Sequence, residues 1–427
     1  MTSFEENRWR RLVEDCFRRE AEPAASIPDP AQNLIETGAL DSMAWVSFLR
    51  ALESASGRND LGSRLTERTP SFESIFDVLR NAPAENLSLE SGSAPSRKAA
   101  PSNTIIIASS AMAVGSRLIP SEEVDRAFGM PEGKLRHRAG IESLAYAAEN
   151  EDELSLGARA AQRALHAAAC GAQELDWIIA TSETHRSYPS LAAQLHSHLL
   201  ARENCGALDV GGACLGLLNG FAIAQGLIAS SRARTILVVT ADVHSRIFVP
   251  GQVAGEFGGL FGDGASAFLL RATSANAPER AYALGGFFFG CAGQYSGAIR
   301  VTQFPLGGLD LHFDGEALSR AAITKLEKVV LEVELRSGIG RSSVQGFATH
   351  QPNPRLVQLL AKQLDLPQEK FPAVAQRFGN LGSSTCGAAL DFLLQAVGRV
   401  QPEKCGPIFM ASLGPGLLFG GSWLVSR

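Results

Sequence analysis

Two patterns of apolar spacing divide this sequence. Up to about residue 80 the apolar positions keep helical spacing, as at Met43, Val46, Leu49 and Leu52, which fall on one helix face. The stretch 81–101 then loses every apolar period and becomes rich in Ser, Ala and Pro, the composition of a linker. From Thr104-Ile105-Ile106-Ile107 onward, short β-branched runs alternate with Ala-rich helical segments, which predicts an α/β architecture. Trp177-Ile178-Ile179-Ala180 and Thr235-Ile236-Leu237-Val238-Val239-Thr240 are continuous apolar runs, expected of strands covered on both faces. Leu154 to Ala169 and Arg355 to Leu364 read as surface helices. Leu215 to Ala229 is apolar on nearly every side and belongs at the centre. The strand–helix order is broadly similar on either side of about residue 275, which hints at two related halves.

Composition narrows the class. The 427 residues suit two or three domains, and 45% hydrophobic with 19% charged is ordinary for a globular interior. A net charge of −5 favours neither nucleic acid nor an anionic membrane as partner. No long uninterrupted apolar run and no basic-then-apolar N-terminus appear, so a cytoplasmic protein is expected. The seven cysteines, at 16, 170, 205, 214, 291, 386 and 405, form no Cys-x-x-Cys pair and no metal-ligand spacing with His. Free thiols and no metal are the expectation; the question is whether one cysteine stands apart.

In the N-terminal region the informative stretch is Glu36-Thr37-Gly38-Ala39-Leu40-Asp41-Ser42-Met43. Gly38 favours a turn, and Asp41 or Ser42 opens the helix that carries Met43 to Leu52. On physics alone Ser42 is an N-cap; the same position also offers its hydroxyl to a modifying enzyme. Leu-Asp-Ser-Met after Glu-Thr-Gly resembles the acyl and peptidyl carrier protein motif, and Ser71 to Leu79 resembles that family's last helix. The resemblance covers roughly residues 8 to 82. It implies a small four-helix bundle with 4′-phosphopantetheine on Ser42, attached by a phosphopantetheinyl transferase. The helix after Ser42 has few acidic residues, unlike the acidic docking helix usual in acyl carriers.

The cysteine that stands apart is Cys214. Asp209-Val210-Gly211-Gly212-Ala213-Cys214-Leu215-Gly216 runs from a strand through small residues into the central helix. At a helix N-terminus, unpaired N–H groups and the helix dipole are expected to favour thiolate. Two later segments offer partners: Thr349-His350-Gln351-Pro352-Asn353-Pro354-Arg355, and Gly379-Asn380-Leu381-Gly382-Ser383-Ser384-Thr385. Each reads as a strand-to-helix loop, where α/β proteins put their chemistry. Cys, His and Asn on three such loops point to nucleophilic catalysis.

From about residue 103 the chain resembles β-ketoacyl-carrier-protein synthase III. The motifs are Ala213-Cys214-Leu215-Gly216, Phe261-Gly262-Asp263-Gly264-Ala265, His350 to Arg355, the stretch from Gly379, and Gly414-Pro415-Gly416 with Phe419-Gly420-Gly421-Ser422. The resemblance implies a thiolase fold, five-layered α-β-α-β-α with two related halves, in a homodimer. The expected divisions are 1–82 carrier-like, 83–102 linker, 103–272 first half and 273–427 second half. It also implies a mechanism: Cys214 takes an acyl group from acyl-CoA or an acyl-carrier thioester, and His350 and Asn380 support decarboxylation of a malonyl thioester. The resulting carbanion attacks the acyl group while N–H groups of Cys214 and the Gly414-Pro415-Gly416 loop hold the oxyanion. Two neutral donors suit that role, since a carboxylate there would repel the developing charge.

Coenzyme A-using relatives place a tryptophan where this chain has Lys134, four positions before Arg138. Delivery on a carrier, the chain's own or one in trans, is therefore the expectation, with polyketide or other specialised metabolism as its setting. The alternatives are acyl transfer from Cys214 to an alcohol or amine, and a non-catalytic thiolase-fold partner. Glu183, near where hydroxymethylglutaryl-synthase relatives hold a catalytic glutamate, reads as one position off and as a surface loop acid.

Overall fold

The structure, a computed structural model, describes residues 3–20, 27–37, 39–40, 42–56, 61–65, 68–81, 105–272, 281–303, 309–397 and 405–426. It divides into two compact units. One takes in Met1–Ala100 with Asp314–Ala321, the other Pro101–Phe313 with Ala322–Arg427.

The smaller unit holds α1 (Ser3–Glu20), α2 (Ser42–Ser56), α3 (Leu61–Leu65) and α4 (Phe72–Asn81). The apolar stripe of α2 buries Trp45, Phe48 and Leu52 against Phe17 of α1 and Phe72 of α4. The rings of Phe17 and Phe72 meet edge to face at 5.2 Å between centroids, an arrangement aromatic quadrupoles favour. Ser42 is the first residue of α2. Its side chain, together with Gly38, Asp41 and the linker 83–102, lies outside the described residues.

The larger unit runs β1 (Ile105–Val114), β2 (Arg117–Pro120), α5 (Ser121–Ala127), β3 (Ser143–Tyr146), α6 (Glu153–Ala167) and β4 (Trp177–Thr181). There follow α7 (Leu191–His198), β5 (Gly206–Asp209), α8 (Gly216–Ala229), β6 (Thr235–Val243), α9 (Gly255–Gly258) and β7 (Asp263–Ala272). The second half holds β8 (Tyr282–Cys291), β9 (Ile299–Gln303), β10 (Leu309–Phe313), α10 (Gly315–Ser337), β11 (Gly346–Thr349) and α11 (Pro354–Gln363). It closes with α12 (Val374–Phe378), α13 (Ser384–Val397), β12 (Ile408–Gly414) and β13 (Leu418–Ser426).

One ladder orders the long strands β11-β12-β13-β8-β1-β7-β6-β4-β5. Among the described residues its two halves pair through Ile106 with Ala283 and Ile107 with Tyr282, between β1 and β8. Strand periodicity sets the layers. Ile178 and Ala180 of β4 and Leu237 and Val239 of β6 pack into the cluster formed with α6 and α7. The alternate residues Ile179 and Val238 pack with Leu217 and Phe221 of α8, in a core that also takes Leu390 of α13 and Met410 of β12. On the far side of the second half, β13 lies so close to α10 that a side chain at Gly421 would strike Val329 and Val333. Helix, sheet, central helices, sheet and helix therefore form five layers. The segment 154–169 read as a surface helix is half buried: a reciprocal Asp152–Ser155 capping box starts α6, and Leu156, Ala160 and Ala164 bury against the sheet.

Candidate active site

Glu183, Cys214 and His350 lie past the C-terminal ends of β4, β5 and β11, where parallel strands release their chains into loops, whereas Asn380, expected on such a loop, lies in the turn between α12 and α13. Gly212 at φ 124° and Ala213 at φ 49° turn the chain sharply after β5. Cys214 then sits in a tight helical turn, Ala213–Leu215, that leads into α8. The approach is close enough that a Cβ at Gly216 would lie 2.1 Å from Thr181 Oγ1 at the end of β4, so only glycine fits. The loop after β12 comes equally near, with an added Gly414 Cβ only 2.8 Å from Gly212 O and 3.6 Å from Cys214 N. Gly416 in that loop takes φ 79°.

β12 ties two of the motifs together. Ser412 Oγ donates to Cys214 O at 2.7 Å, and the His350 amide donates to Ala411 O at 2.9 Å. The residues after His350 hold the loop. Gln351 donates to Pro372 O (2.7 Å) and accepts from the Ala375 amide (3.1 Å). Asn353 caps α11 by accepting from the Leu356 amide at 2.9 Å, with Pro354 as the first helical residue. Asn380 is buried and bridged to Phe261, its amide donating to Leu260 O at 2.8 Å. Its Oδ1 accepts from Gly382 N and Thr385 Oγ1, both at 3.0 Å, which orients the carboxamide and leaves Nδ2 as the donor side.

Glu183 corrects the sequence reading. It is no surface acid: its side chain is 16% exposed, Oε2 lies 3.5 Å from His244 Nε2, and Oε1 is buried with no nitrogen or oxygen donor. Asp242 draws it inward. Asp242 Oδ1 accepts from the Glu183 amide (2.5 Å) and Ser182 Oγ (3.1 Å), and Oδ2 accepts from the Ser383 amide (2.8 Å) and Ser383 Oγ (2.6 Å). One carboxylate thus fastens the Glu183 loop to the Asn380 loop. The sequence does carry a signal. Ser-Glu-Thr follows the buried β4 directly, and Asp242 near the end of β6 is two positions before His244, which opens the next turn.

The electrostatics follow from this burial. Burial opposes a charge on His244, but the bond to Glu183 and the charges of Asp242, Glu183 and Asp263 outweigh it and raise its pKa to about 9. Burial would raise Glu183; the bond to His244 and the charge of His244, with help from Cys214 and His350, bring it below the usual carboxylate value. His350 is pushed down to about 4, chiefly by burial, so it is a neutral imidazole near pH 7. Cys214 departs from expectation. Burial first, then the charge and hydrogen bond of Glu183, lift its thiol well above 9; the backbone amide opposes this but is outweighed. The resting residue is a thiol.

Glu183, Asp242 and His244 bring possible ligand atoms within 4.8 Å of one another. Asp242 already accepts four protein hydrogen bonds and has no oxygen to offer an ion, so the group reads as a proton-holding cluster rather than a metal site.

A two-part α/β layer structure with a cysteine at the start of its buried central helix is the thiolase fold. Residues 208–287 match the family model for 3-oxoacyl-[acyl-carrier-protein] synthase III, and residues 335–425 match the model for its C-terminal part. The chain is 30% identical over 326 residues to beta-ketoacyl-[acyl-carrier-protein] synthase III of Granulibacter bethesdensis, covering 75% of this chain and 98% of that protein. It is 29% identical over 311 residues to the Ruegeria sp. protein of the same name, covering 71% and 93%. A solved 3-oxoacyl-(acyl-carrier-protein) synthase III superposes with a TM-score of 0.66 at 25% identity, covering 76% of this chain and all of that one. The priming β-ketosynthase of the R1128 polyketide pathway superposes at 0.67 with 24% identity, covering 78% and 99%. The chain belongs to the β-ketoacyl-acyl-carrier-protein synthase III family, and it is an acyl-transferring condensing enzyme. No helix among the described residues is long and apolar enough to cross a membrane.

Proposed function

We propose that Cys214 accepts an acyl group from a thioester and that the enzyme condenses it, with loss of carbon dioxide, onto a malonyl-type carrier thioester. The observation that carries this reading is the pair of neutral donors. His350 is held uncharged by burial, and the Asn380 carboxamide has its oxygen occupied and its Nδ2 free. Two such donors stabilise the enolate left by decarboxylation without holding charge beforehand. The Glu183 carboxylate, which alone would oppose that enolate, is offset by protonated His244. Backbone N–H groups of Cys214 and of the Gly414 to Gly416 loop, packed against one another, serve the acyl oxyanion.

The acyl group arrives on 4′-phosphopantetheine, carried on Ser42 of the N-terminal helical unit or on an acyl carrier protein in trans. The start of α2 at Ser42 supports the first source. Attachment there requires a phosphopantetheinyl transferase. The enzyme works as a cytoplasmic homodimer in polyketide or related specialised metabolism, with a dedicated carrier as its supply line. The runner-up, acyl transfer to an alcohol or amine, draws support from the buried Glu183 as a base for an acceptor that loses a proton.

Product analysis decides between them. With acyl thioester and malonyl-carrier supplied, condensation releases one carbon dioxide per turnover. Asn380→Ala lowers that rate about 10²-fold or more, the usual loss for one donor to a developing oxyanion. Turnover without carbon dioxide release overturns the condensation reading.

A further inference from the structure

Cys214 begins its task as a buried thiol, so something must take its proton. Three groups could. Asp242 is excluded because each of its oxygens already accepts two hydrogen bonds. His350 is neutral, and transfer to it would create an imidazolium and a thiolate from two uncharged groups inside a low-dielectric pocket. Glu183 already carries the charge. Transfer to it shifts that charge from carboxylate to sulfur, leaves the pocket's total unchanged and keeps it beside His244. A charge shift costs far less there than a charge separation. Glu183 Oε1 is buried with no nitrogen or oxygen donor, the carboxylate faces the Cys214 thiol as its hydrogen-bond partner, and the other oxygen is held towards His244 at 3.5 Å. His244 itself is fixed by ring contacts with Phe248 and Phe261, at 5.5 and 4.6 Å between centroids, and by the absence of a side chain at Gly382.

We infer that Glu183, held by His244, is the base that deprotonates Cys214 during acylation and returns the proton to the departing thiol. The Sγ–H bond breaks and its proton passes to the Glu183 carboxylate. Sγ bonds to the thioester carbonyl carbon, and the oxyanion collapses. The carbon–sulfur bond to the carrier's pantetheine then breaks with its electron pair on that sulfur, which takes the proton from Glu183. The carboxylate is restored. His244 is a positioning residue in this scheme. The inference deepens the Cys214 role proposed above and rests on it.

The test reads acylation alone, by intact mass, with an acyl thioester and before any malonyl substrate is added; carbon dioxide release therefore bears on the earlier reading and not on this one. Alkylation of Cys214 by iodoacetamide, followed on its own peptide because Cys291 is exposed, reports thiolate content separately. In Glu183→Gln the neighbouring negative charge is gone, so alkylation of Cys214 near neutral pH speeds up, while acylation slows about 10²-fold or more for want of a base. Acylation that is unchanged or faster overturns the inference, and so does a fall in both rates, which marks a merely structural role. His244→Gln is the second reading should the first variant not fold. Losing His244 raises the pKa of Glu183, so the acid limb of the acylation rate moves to higher pH by one unit or more; an unmoved limb overturns the inference.

Discussion

Two carboxylates lie within one buried pocket, and they are built for opposite ends. Asp242 accepts four hydrogen bonds, from Ser182, the Glu183 amide and both donors of Ser383. Glu183 has one oxygen near His244 and one buried with no nitrogen or oxygen donor, its carboxylate facing the Cys214 thiol. The first is saturated and therefore inert; its work is to fasten two loops, one 59 residues before it in the chain and the other 141 residues after it. The second is left with unused lone pairs beside a thiol. The difference teaches that burial alone does not mark a reactive acid, because what matters is how many donors the fold has already spent on it.

The largest effect that tests this contrast is on stability. Asp242→Ala leaves two amides and two hydroxyls without their buried acceptor. Leaving buried donors unsatisfied costs about 1–3 kcal/mol each, and breaking a buried charged network about 3–5 kcal/mol. We expect a loss of at least about 3 kcal/mol in denaturant unfolding, whereas Glu183→Gln, which removes no filled acceptor site on Oε1, loses markedly less. Equal losses would erase the distinction.

Much of this was legible in the sequence, and the remainder was hidden for physical reasons. Apolar runs at 177–180 and 235–240 became β4 and β6, and the all-round apolar segment from Leu215 became α8, because continuous burial leaves a continuous pattern. Cys214 and His350 stood out as chemistry on strand-to-helix loops; Asn380 stood out too, but its glycine-rich turn joins α12 to α13 rather than a strand to a helix. Glu183 did not, because its neighbours Thr181, Ser182 and Thr184 are polar and its burial depends on Asp242, 59 residues further on. His244 passed unnoticed in a position that reads equally well as core. The ionisation of Cys214 was misjudged because the helix terminus is visible in the sequence, while desolvation and the Glu183 charge appear only in three dimensions.

A middle-sized effect follows from His244. Its neighbours are Glu183 from the loop after β4, Asp242 near the end of β6 just before it, Asp263 from β7 and His350 from the loop after β11. Because its folded pKa is raised to about 9 from 6.5, the stabilisation is complete below pH 6.5 and is lost as pH rises through about 9. Asp242, raised from 3.8 to about 6, loses its share lower on the scale, and Cys214 titrates above the window. Unfolding free energy should therefore fall between pH 6.5 and about 9 by on the order of 1–3 kcal/mol. In Glu183→Gln, which removes the strongest of the groups raising His244, the fall shrinks. A wild-type curve flat across this window would mean that the pair does not hold its proton.

A third carboxylate calibrates the other two. Glu256 in α9 accepts a hydrogen bond from Lys134, the residue standing where coenzyme A-using relatives place a tryptophan. Its pKa is lowered, first by that bond. Yet the Glu256 side chain is 59% exposed and that of Lys134 30%, so water and salt screen the pair and either partner can be rehydrated when the other is removed. Glu256→Gln should cost no more than about 0.2–1 kcal/mol, and less in high salt. Measured beside Asp242→Ala in the same denaturant series, it separates pairing from burial. A cost close to that of Asp242 would show that ion pairing by itself sets the stability of these acids, and the distinction drawn from filled and unfilled oxygens would lose its basis.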